Sequence, residues 1–558
     1  MVDDVIPPPV LSIGRWRDRS VTGGRLVHRG HSWRAAIVGL SVLATGCAVG
    51  PDFHKPVAWA PPHWAGQHWV GSAPGSTSGA SRPPVSSDIS DAAPDPAWWD
   101  VFHDPELSAL ERRVAGQNLS VAIATARLAQ SRSQLRIAGA ERYPGLSAAG
   151  SYTRSQYSTK ELQRIVSDVG KSGNLPLGGV NLADQSGQFT IPLLDQWRDS
   201  IDATWEVDLW GRVRRQYEAA GADLQASVEE RRGVLTAQMA ELARDYVALR
   251  EAQAQLRILL DNRDTASRSL DLSRQRNQAG LVSELDVQSA QSQLDSVTAR
   301  IPQMEQQIAL QVNALSLLLG APPSALAGEL LTDRDIPPVP PRVPAGVPSE
   351  LARRRPDIRQ AEAQLHAATA QVGEAVAEFY PRVTIDAGFG FQSLSFRDFG
   401  FWNARAWNVG PSISLPIFQG GRLRGQLELR HAAEQEAAIT YRRTVLGAWH
   451  EVDNALTAYR DEQMRHDSLA RQVADDQRSL DLARDQYRHG MVTFLTVLDA
   501  ERRVLGSQTD LTSSTASLST DLVQLYSALG GGWENTFPVQ MAAPARLAGA
   551  APGAAPPA

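Results

Sequence analysis

His450-Glu451 opens the helical pattern in which two histidines four residues apart hold zinc and the glutamate between them acts as a base. The second histidine is missing, because position 454 is Asn454. One ligand short, the pattern does not make a zinc site. Gly388-Phe389-Gly390 carries two glycines of a nucleotide-binding loop, yet it lies inside an alternating segment with no helix to follow. The chain has no serine-elbow motif, and its one cysteine is Cys47. Carboxylates are numerous but spread along helical segments, where solvated faces account for them. These residue types point away from an enzyme, so no catalytic residue, cofactor or metal ligand is expected.

The one place where covalent chemistry is expected is Cys47. Residues 35–46 (AAIVGLSVLATG) are a short apolar stretch behind Arg25, Arg29 and Arg34. A basic start, a short apolar run and small residues before a cleavage point describe an export signal over 1–46. Ala44-Thr45-Gly46-Cys47 resembles a bacterial lipoprotein box, with Ala44 where leucine is usual. Cleavage there would make Cys47 the lipidated first residue and leave no thiol for an internal disulfide.

The net charge of −6 on 558 residues is mild, and Lys and Arg are not clustered, which argues against nucleic acid. No apolar run reaches 18 residues, so no membrane-spanning helix is expected in the mature chain.

The elements that would position anything come in two kinds. Leu146, Ala148, Gly150 and Tyr152 alternate with Ser147, Ala149, Ser151 and Thr153. Ile201, Ala203, Trp205, Val207 and Leu209 alternate with Asp202, Thr204, Glu206 and Asp208. Val383 to Gln392 and Ser412 to Ile417 repeat the pattern. Strands are therefore expected over 143–156, 199–210, 380–392 and 407–418. Their length, the polar face with Asp202, Glu206 and Asp208, and tryptophans at the ends (Trp205, Trp210, Trp402, Trp407) favour transmembrane β-barrel strands over a half-buried soluble sheet. The carboxylates Asp202, Glu206 and Asp208 would then face a water-filled lumen.

Residues 212–278 and 422–488 hold no proline and carry Leu, Val and Ala at helical spacing. As helices each would be about 100 Å long. Further helices are expected over 104–142, 282–319, 350–379 and 492–529, with Pro302 kinking the second of them. Two shorter helices stacked end to end would match one long helix. Glycines stand where the chain turns: Gly280 and Gly490 follow the long helices. Arg212, Gly280 and Gly320 each recur 210 residues later as Arg422, Gly490 and Gly530. The chain thus reads as an internal two-fold sequence repeat, 104–320 and 350–535, joined by a proline-rich connector over 321–349. Residues 47–103 read as a lipid-anchored tether and 536–558 as a disordered tail.

Four strands cannot close a barrel, and open edges are not left in lipid. Two chains are the floor for eight strands, and three would give twelve. All the long helices would leave such a barrel on one side. The class is an α+β membrane protein: an oligomeric tube continued by a helical tunnel.

Several motifs together resemble the outer-membrane factors of the TolC-like family, in the lipoprotein (OprM/NodT-like) branch of RND-type efflux systems. They are Cys47-Ala-Val-Gly-Pro-Asp-Phe53, Trp98-Trp99, Phe102-His-Asp-Pro-Glu-Leu107 and Trp205-Glu-Val-Asp-Leu-Trp-Gly-Arg212. The second half adds Arg354-Arg-Pro-Asp-Ile358, Gly410-Pro-Ser-Ile-Ser-Leu-Pro-Ile-Phe418, Val497-Leu-Asp-Ala500 and Ala528-Leu-Gly-Gly-Gly-Trp533. The resemblance implies a homotrimer with a 12-stranded transmembrane β-barrel, four strands per chain, above a periplasmic α-helical barrel. It implies a periplasmic adaptor (membrane fusion) protein and an inner-membrane RND-type pump as partners. Localisation would be the outer membrane, lipid-anchored through Cys47 and extending into the periplasm, with outer membrane lipid around the barrel.

The resemblance also implies that the tip turns Gly280 and Gly490 mark the periplasmic end. There Leu495, Asp499 and Arg502 would form the gate. Leu495 and Asp499 are spaced i, i+4 and share a helix face, so threefold symmetry would make an apolar and an acidic ring. The matching first-half positions are Leu285 and Ser289. The function implied is the outer-membrane channel of a tripartite efflux pump for small molecules. A type I protein-secretion channel is the alternative, and the lipoprotein box and the Gly-Gly-Gly-Trp533 ending favour efflux.

Overall fold

The computed structural model describes residues 48–56, 64, 88–90, 92–156 and 193–534. The chain divides into two units, 1–47 and 48–558, and the described residues all belong to the second. The export signal, Cys47 and the tail from 535 on lie outside the described residues.

Four antiparallel strands form one sheet in the order β2 (Gly145–Ser155), β3 (Leu194–Val207), β5 (Arg382–Ser393), β6 (Arg405–Ser414). A two-stranded parallel sheet pairs β1 (Asp88–Ser90) with β4 (Arg342–Pro344). Two strand ends differ from expectation. β3 starts earlier than 199 and stops at Val207, so Leu209 and Trp210 belong to the turn that enters the next helix at Gly211, φ +86°. β6 stops at Ser414 rather than 418, where Pro416 has no N–H for a ladder and Gly420 and Gly421 turn the chain at positive φ.

The long helices are α3 (Arg212–Gln278) and α7 (Arg422–Arg488), 67 residues each. The region expected as one helix over 104–142 is two, α1 (Pro105–Gln117) and α2 (Leu119–Ala140). Asn118 breaks it because its side chain caps the new helix, accepting from Val121 N at 3.0 Å. The region 282–319 is likewise two, α4 (Glu284–Thr298) and α5 (Ile301–Leu318), with Pro302 in the first turn of α5. Proline there is tolerated, whereas inside a continuous helix it would clash with a carbonyl one turn back. In the second half, α6 (Pro356–Ala377) begins at Pro356, and α8 (Phe494–Leu529) runs 36 residues unbroken.

Two junctions show how short helices abut beside a long one. Asn118 Nδ2 donates to Leu318 O at 2.9 Å and to Gln238 Oε1 of α3 at 2.8 Å, so α5 ends where α2 begins. Gly320, at φ +64°, fits there because a Cβ would come within 2.8 Å of Gln117 O. At the other junction Arg355 donates to Ala528 O at 2.7 Å and pairs with Glu451 of α7 at 2.7 Å. The glutamate of the incomplete zinc pattern is thus an ion-pair partner at a helix junction.

The segment expected as a tether is fastened where it is described. Arg215 pairs with Asp52 at 2.6 Å, Phe53 stacks on His366 at 4.4 Å, and Lys55 pairs with Glu362 at 2.9 Å. Trp64, Trp98, Trp99 and Phe102 are buried in the main core, where Trp98 stacks on Tyr526 at 5.7 Å. The connector also contributes to that core through Leu326, Leu330 and Val343.

Under this core lies a buried polar network. Arg250 and Glu106 pair at 2.6 Å, Arg250 donates to Thr332 O at 2.9 Å, and Tyr246 donates to Asp104 at 2.7 Å. Glu111 of α1 is also fully buried, but among the described residues neither of its oxygens has a partner. Burial pushes its carboxyl well above the ordinary value of 4.5. A raised folded-state pKa contributes stability that is complete below about 4.5 and is lost as pH rises through the folded value. Glu111→Met is therefore expected to stabilise the protein by about 1–3 kcal/mol at pH 8. The gain should shrink below pH ~4.5, where the carboxyl is neutral in both states, to what its two unpartnered oxygens still cost. Thermal melts of both proteins across that range check this, and a pH-independent difference would contradict it.

Candidate functional site

The sheet divides side chains by face, and its register shows the division directly. One row aligns Leu146, Ala203, Ala387 and Val409; the next aligns Ala148, Ile201, Phe389 and Trp407. Nearer the helices, Trp205 aligns with Ile385 and Pro411, and Val207 with Val383 and Ile413. Leu146, Ile201, Phe389, Trp407, Val409 and Ile413 are all exposed in the single chain. An exposed, contiguous apolar sheet face is not left to water. Among the described residues, both outer strands, β2 and β6, also lack a partner on one side.

Aromatic rings gather at both ends of this apolar band. At the helix end Trp210 stacks on Tyr380 at 4.8 Å and donates to Pro381 O, while Trp205 donates to Arg142 O. At the far end Tyr152 lies 4.3 Å from Trp197, which also meets Phe396 at 4.9 Å. Amphipathic rings favour such levels because one side is apolar and the other wet.

The opposite face is polar. Asp202 accepts from Ser200 Oγ at 2.7 Å and faces Gly388, where a Cβ would come within 2.8 Å of the carboxylate. Thr204 donates to Asp386 at 3.0 Å. Glu206 sits at the end of this face and is held by both forks of Arg212, at 2.9 Å each, with Arg382 at 3.5 Å. Asp208 needs correction as a strand residue. It lies one position past β3 and caps the start of α3, accepting from Arg214 N at 2.9 Å and pairing with the Arg214 side chain at 3.2 Å. These arginines brace the change from strand to helix. The sequence signal was available, since Glu206 and Asp208 each stand six residues before an arginine.

At the other end of the long helices the chain reverses at Gly280 (φ +70°) and Gly490 (φ +75°). Leu281 N bonds Arg276 O and Met491 N bonds Gln486 O, both at 2.9 Å, which is the Schellman closure that positive-φ glycine permits. Phe494, Val497 and Leu498 turn inward and pack on Leu480, Ala483 and Tyr487. Leu495, 67% exposed, and Asp499 turn outward together on α8. Asp499 pairs with Arg503 at 2.6 Å, a partner that the i, i+4 spacing permits but the family motif does not name. Arg502 points elsewhere, donating to Gln293 of α4 at 3.0 Å. Leu495 and Asp499 are thus brought together, and Arg502 joins two helices instead.

The outer membrane efflux protein family matches this chain over residues 111–321 and 347–531. The chain is 31% identical over 489 residues to the probable efflux pump outer membrane protein TtgC of Pseudomonas putida KT2440, spanning 88% of this chain and 93% of that one. It is 30% identical over 503 residues to nodulation protein T of Rhizobium leguminosarum bv. viciae, spanning 90% and 94%. The solved outer-membrane channel OprN superposes with a TM-score of 0.74 at 32% identity, over 87% of this chain and 100% of that channel.

Proposed function

The chain belongs to the outer membrane efflux protein family, and on that footing we propose that three copies build the outer-membrane channel of a tripartite efflux pump. Each copy contributes four strands to a 12-stranded barrel, and the paired long and short helices of its two repeats continue the tube into the periplasm. The observation that carries this is the sheet: four aligned strands with an apolar face over four successive rows, from Val207 to Ile201, aromatic rings at both ends and two edges unpaired among the described residues. Lipid satisfies the face and neighbouring copies satisfy the edges. The polar face then lines a wet lumen with Asp202, Thr204, Asp386 and, at its inner end, Glu206.

The chain is anchored through acylated Cys47. At the periplasmic tip an adaptor protein and an inner-membrane RND-type pump deliver small molecules. The relatives named as efflux pump components do not favour protein secretion. The test is deletion of the gene followed by dye-accumulation assays. Increased retention of pump substrates, restored by the intact gene, is expected; unchanged retention of every substrate of the cognate pump contradicts the reading.

Leu495 and Asp499, exposed on one face of α8, form the apolar and acidic rings of the gate. The Arg503 partner neutralises part of the Asp499 charge, so the acidic ring is weaker than a bare carboxylate ring. Asp499→Ala is expected to loosen the closed tip and raise the single-channel conductance of purified trimers several-fold in planar bilayers. Unchanged conductance removes Asp499 from the gate.

A further inference from the structure

The two repeats correspond helix for helix below the sheet. α2 and α6 each run 22 residues and α3 and α7 each run 67, so Leu119 corresponds to Pro356 and Arg212 to Arg422. Tyr143-Pro144 just past α2 recurs as Tyr380-Pro381 just past α6, which holds the register. Within the chain α2 lies on α3, α3 on α6 and α6 on α7. The α3–α6 seam joins the end of one repeat to the start of the next. Its counterpart would join α7 to the α2 of another copy.

Both outer helices are bare where the inner seam is covered. Arg215, Ala219, Ala222, Ala226 and Glu229 of α3 are buried, whereas their counterparts Gly425, Leu429, Ala432, Glu436 and Ile439 of α7 are exposed. Pro356, Ala363, Ala370, Gly373 and Ala377 of α6 are buried, whereas Leu119, Ala126, Ser133, Arg136 and Ala140 of α2 are exposed. Stripes of mostly small and apolar residues at helical spacing are suited to a helix partner. The inner seam shows what locks it. The Arg215 side chain crosses Gly373, where a Cβ would come within 2.8 Å of Nε and 3.0 Å of Cδ. Glu218 holds that guanidinium at 2.8 Å, and Asp52 adds a second anion at 2.6 Å. At the outer seam the glycine and the arginine have changed helices: Gly425 stands for Arg215, and Arg136 for Gly373. A Cβ on Gly425 would meet nothing beyond its own helix within 4 Å, so the space is open. Glu428 stands for Glu218, and among the described residues neither it nor Arg136 has a hydrogen-bond or ion-pair partner. Glu141, the acid next along from Arg136, is held by Gln216 at 3.2 Å and Arg212 at 3.6 Å.

We propose that Arg136 of one copy crosses Gly425 of the next and pairs with that copy's Glu428, so that the lock of the inner seam recurs between copies in reverse. The exchange keeps the fit, because a long side chain still lies over a glycine with a carboxylate three residues along. The occupant of both bare stripes is a second copy of this chain. Enclosed between helices, the guanidinium and carboxylate make a charge-assisted bond that is stronger than an exposed pair. This rests on the trimeric assembly proposed above, and the test separates the two.

The first test is a cross-link in the full-length protein. The close approach at Gly373 puts the corresponding pair within disulfide reach, so Arg136→Cys/Gly425→Cys is expected to give covalent dimers and trimers when outer membranes are mildly oxidised. Neither single variant should do so, and α3 and α6 keep the two positions apart within one chain. An intact trimer without the cross-link overturns the seam and leaves the assembly standing; a chain that forms no oligomer overturns both. The second test reads the temperature at which the oligomer dissociates. Arg136→Glu and Glu428→Arg should each lower it by several degrees, and the two together should restore it. Gly425→Ala favours the helix itself, yet it should also lower that temperature, because the added methyl takes the space of the crossing arginine. A double charge reversal that dissociates as easily as the single variants overturns the pairing.

Discussion

Ile201→Arg is expected to abolish most of the assembled protein in the outer membrane, while Thr204→Arg on the same strand is tolerated. Ile201 lies mid-row between Ala148, Phe389 and Trp407, and its side chain is exposed in the single chain. On the lipid face of a barrel an arginine near the midplane costs about 2–4 kcal/mol per chain. Symmetry applies that cost three times in one trimer, which exceeds the margin of most assemblies. Thr204 points to the other face, where Asp386 already accepts its hydroxyl at 3.0 Å and would pair with a guanidinium. Heat-dissociable oligomer recovered from outer membranes separates the two variants. Equal yields would mean that the apolar face is covered by protein, not lipid.

The second large effect is expected at Arg250, far from the sheet. Its side chain is fully buried with Glu106 at 2.6 Å, and it also serves Thr332 O at 2.9 Å and Gln253 at 2.6 Å. Arg250→Met leaves Glu106 with the half-exposed Arg334 at 3.1 Å and a long contact from the Tyr246 hydroxyl at 3.5 Å. Removing one partner of a buried pair costs about 3–5 kcal/mol, chiefly because the remaining charge is left in a low-dielectric core. Arg334 offsets a fraction of this, so the lower end of the range is expected. The double variant Arg250→Met/Glu106→Leu should recover much of the loss, since two apolar side chains replace two charges. Melting temperatures of the three proteins decide it. A double variant as damaged as the single one would show that the carbonyl bonds of Arg250 outweigh its ion pair.

Much of this fold was legible because its signals are long. A stretch of 67 residues with helical spacing and no proline leaves little else to form. Strand alternation was equally plain, with apolar and polar residues changing places at every step from Ile201 to Val207. Breaks were harder to read. Asn118 ends α1 through one side-chain cap and a contact with Leu318, which lies 200 residues away in sequence. Asp208 followed the alternation by one residue too many, because the competing demand is a cap for α3, visible only once Gly211 bends the chain. At the tip, Leu495 and Asp499 were placed on one face by their spacing alone. The Asp499–Arg503 pair was not. Trp64 and the strap after Cys47 lay in a segment whose composition suggests a tether, and only tertiary contacts fasten it.

The barrel, and with it the gate, stands on one number: how many chains close it. Native mass measurement of the particle extracted from outer membranes in mild detergent gives that number directly. Three copies of the processed chain, dissociating together on heating, are expected. A stable monomer, or a dimer resistant to further dissociation, would contradict the barrel and the gate built on its threefold axis.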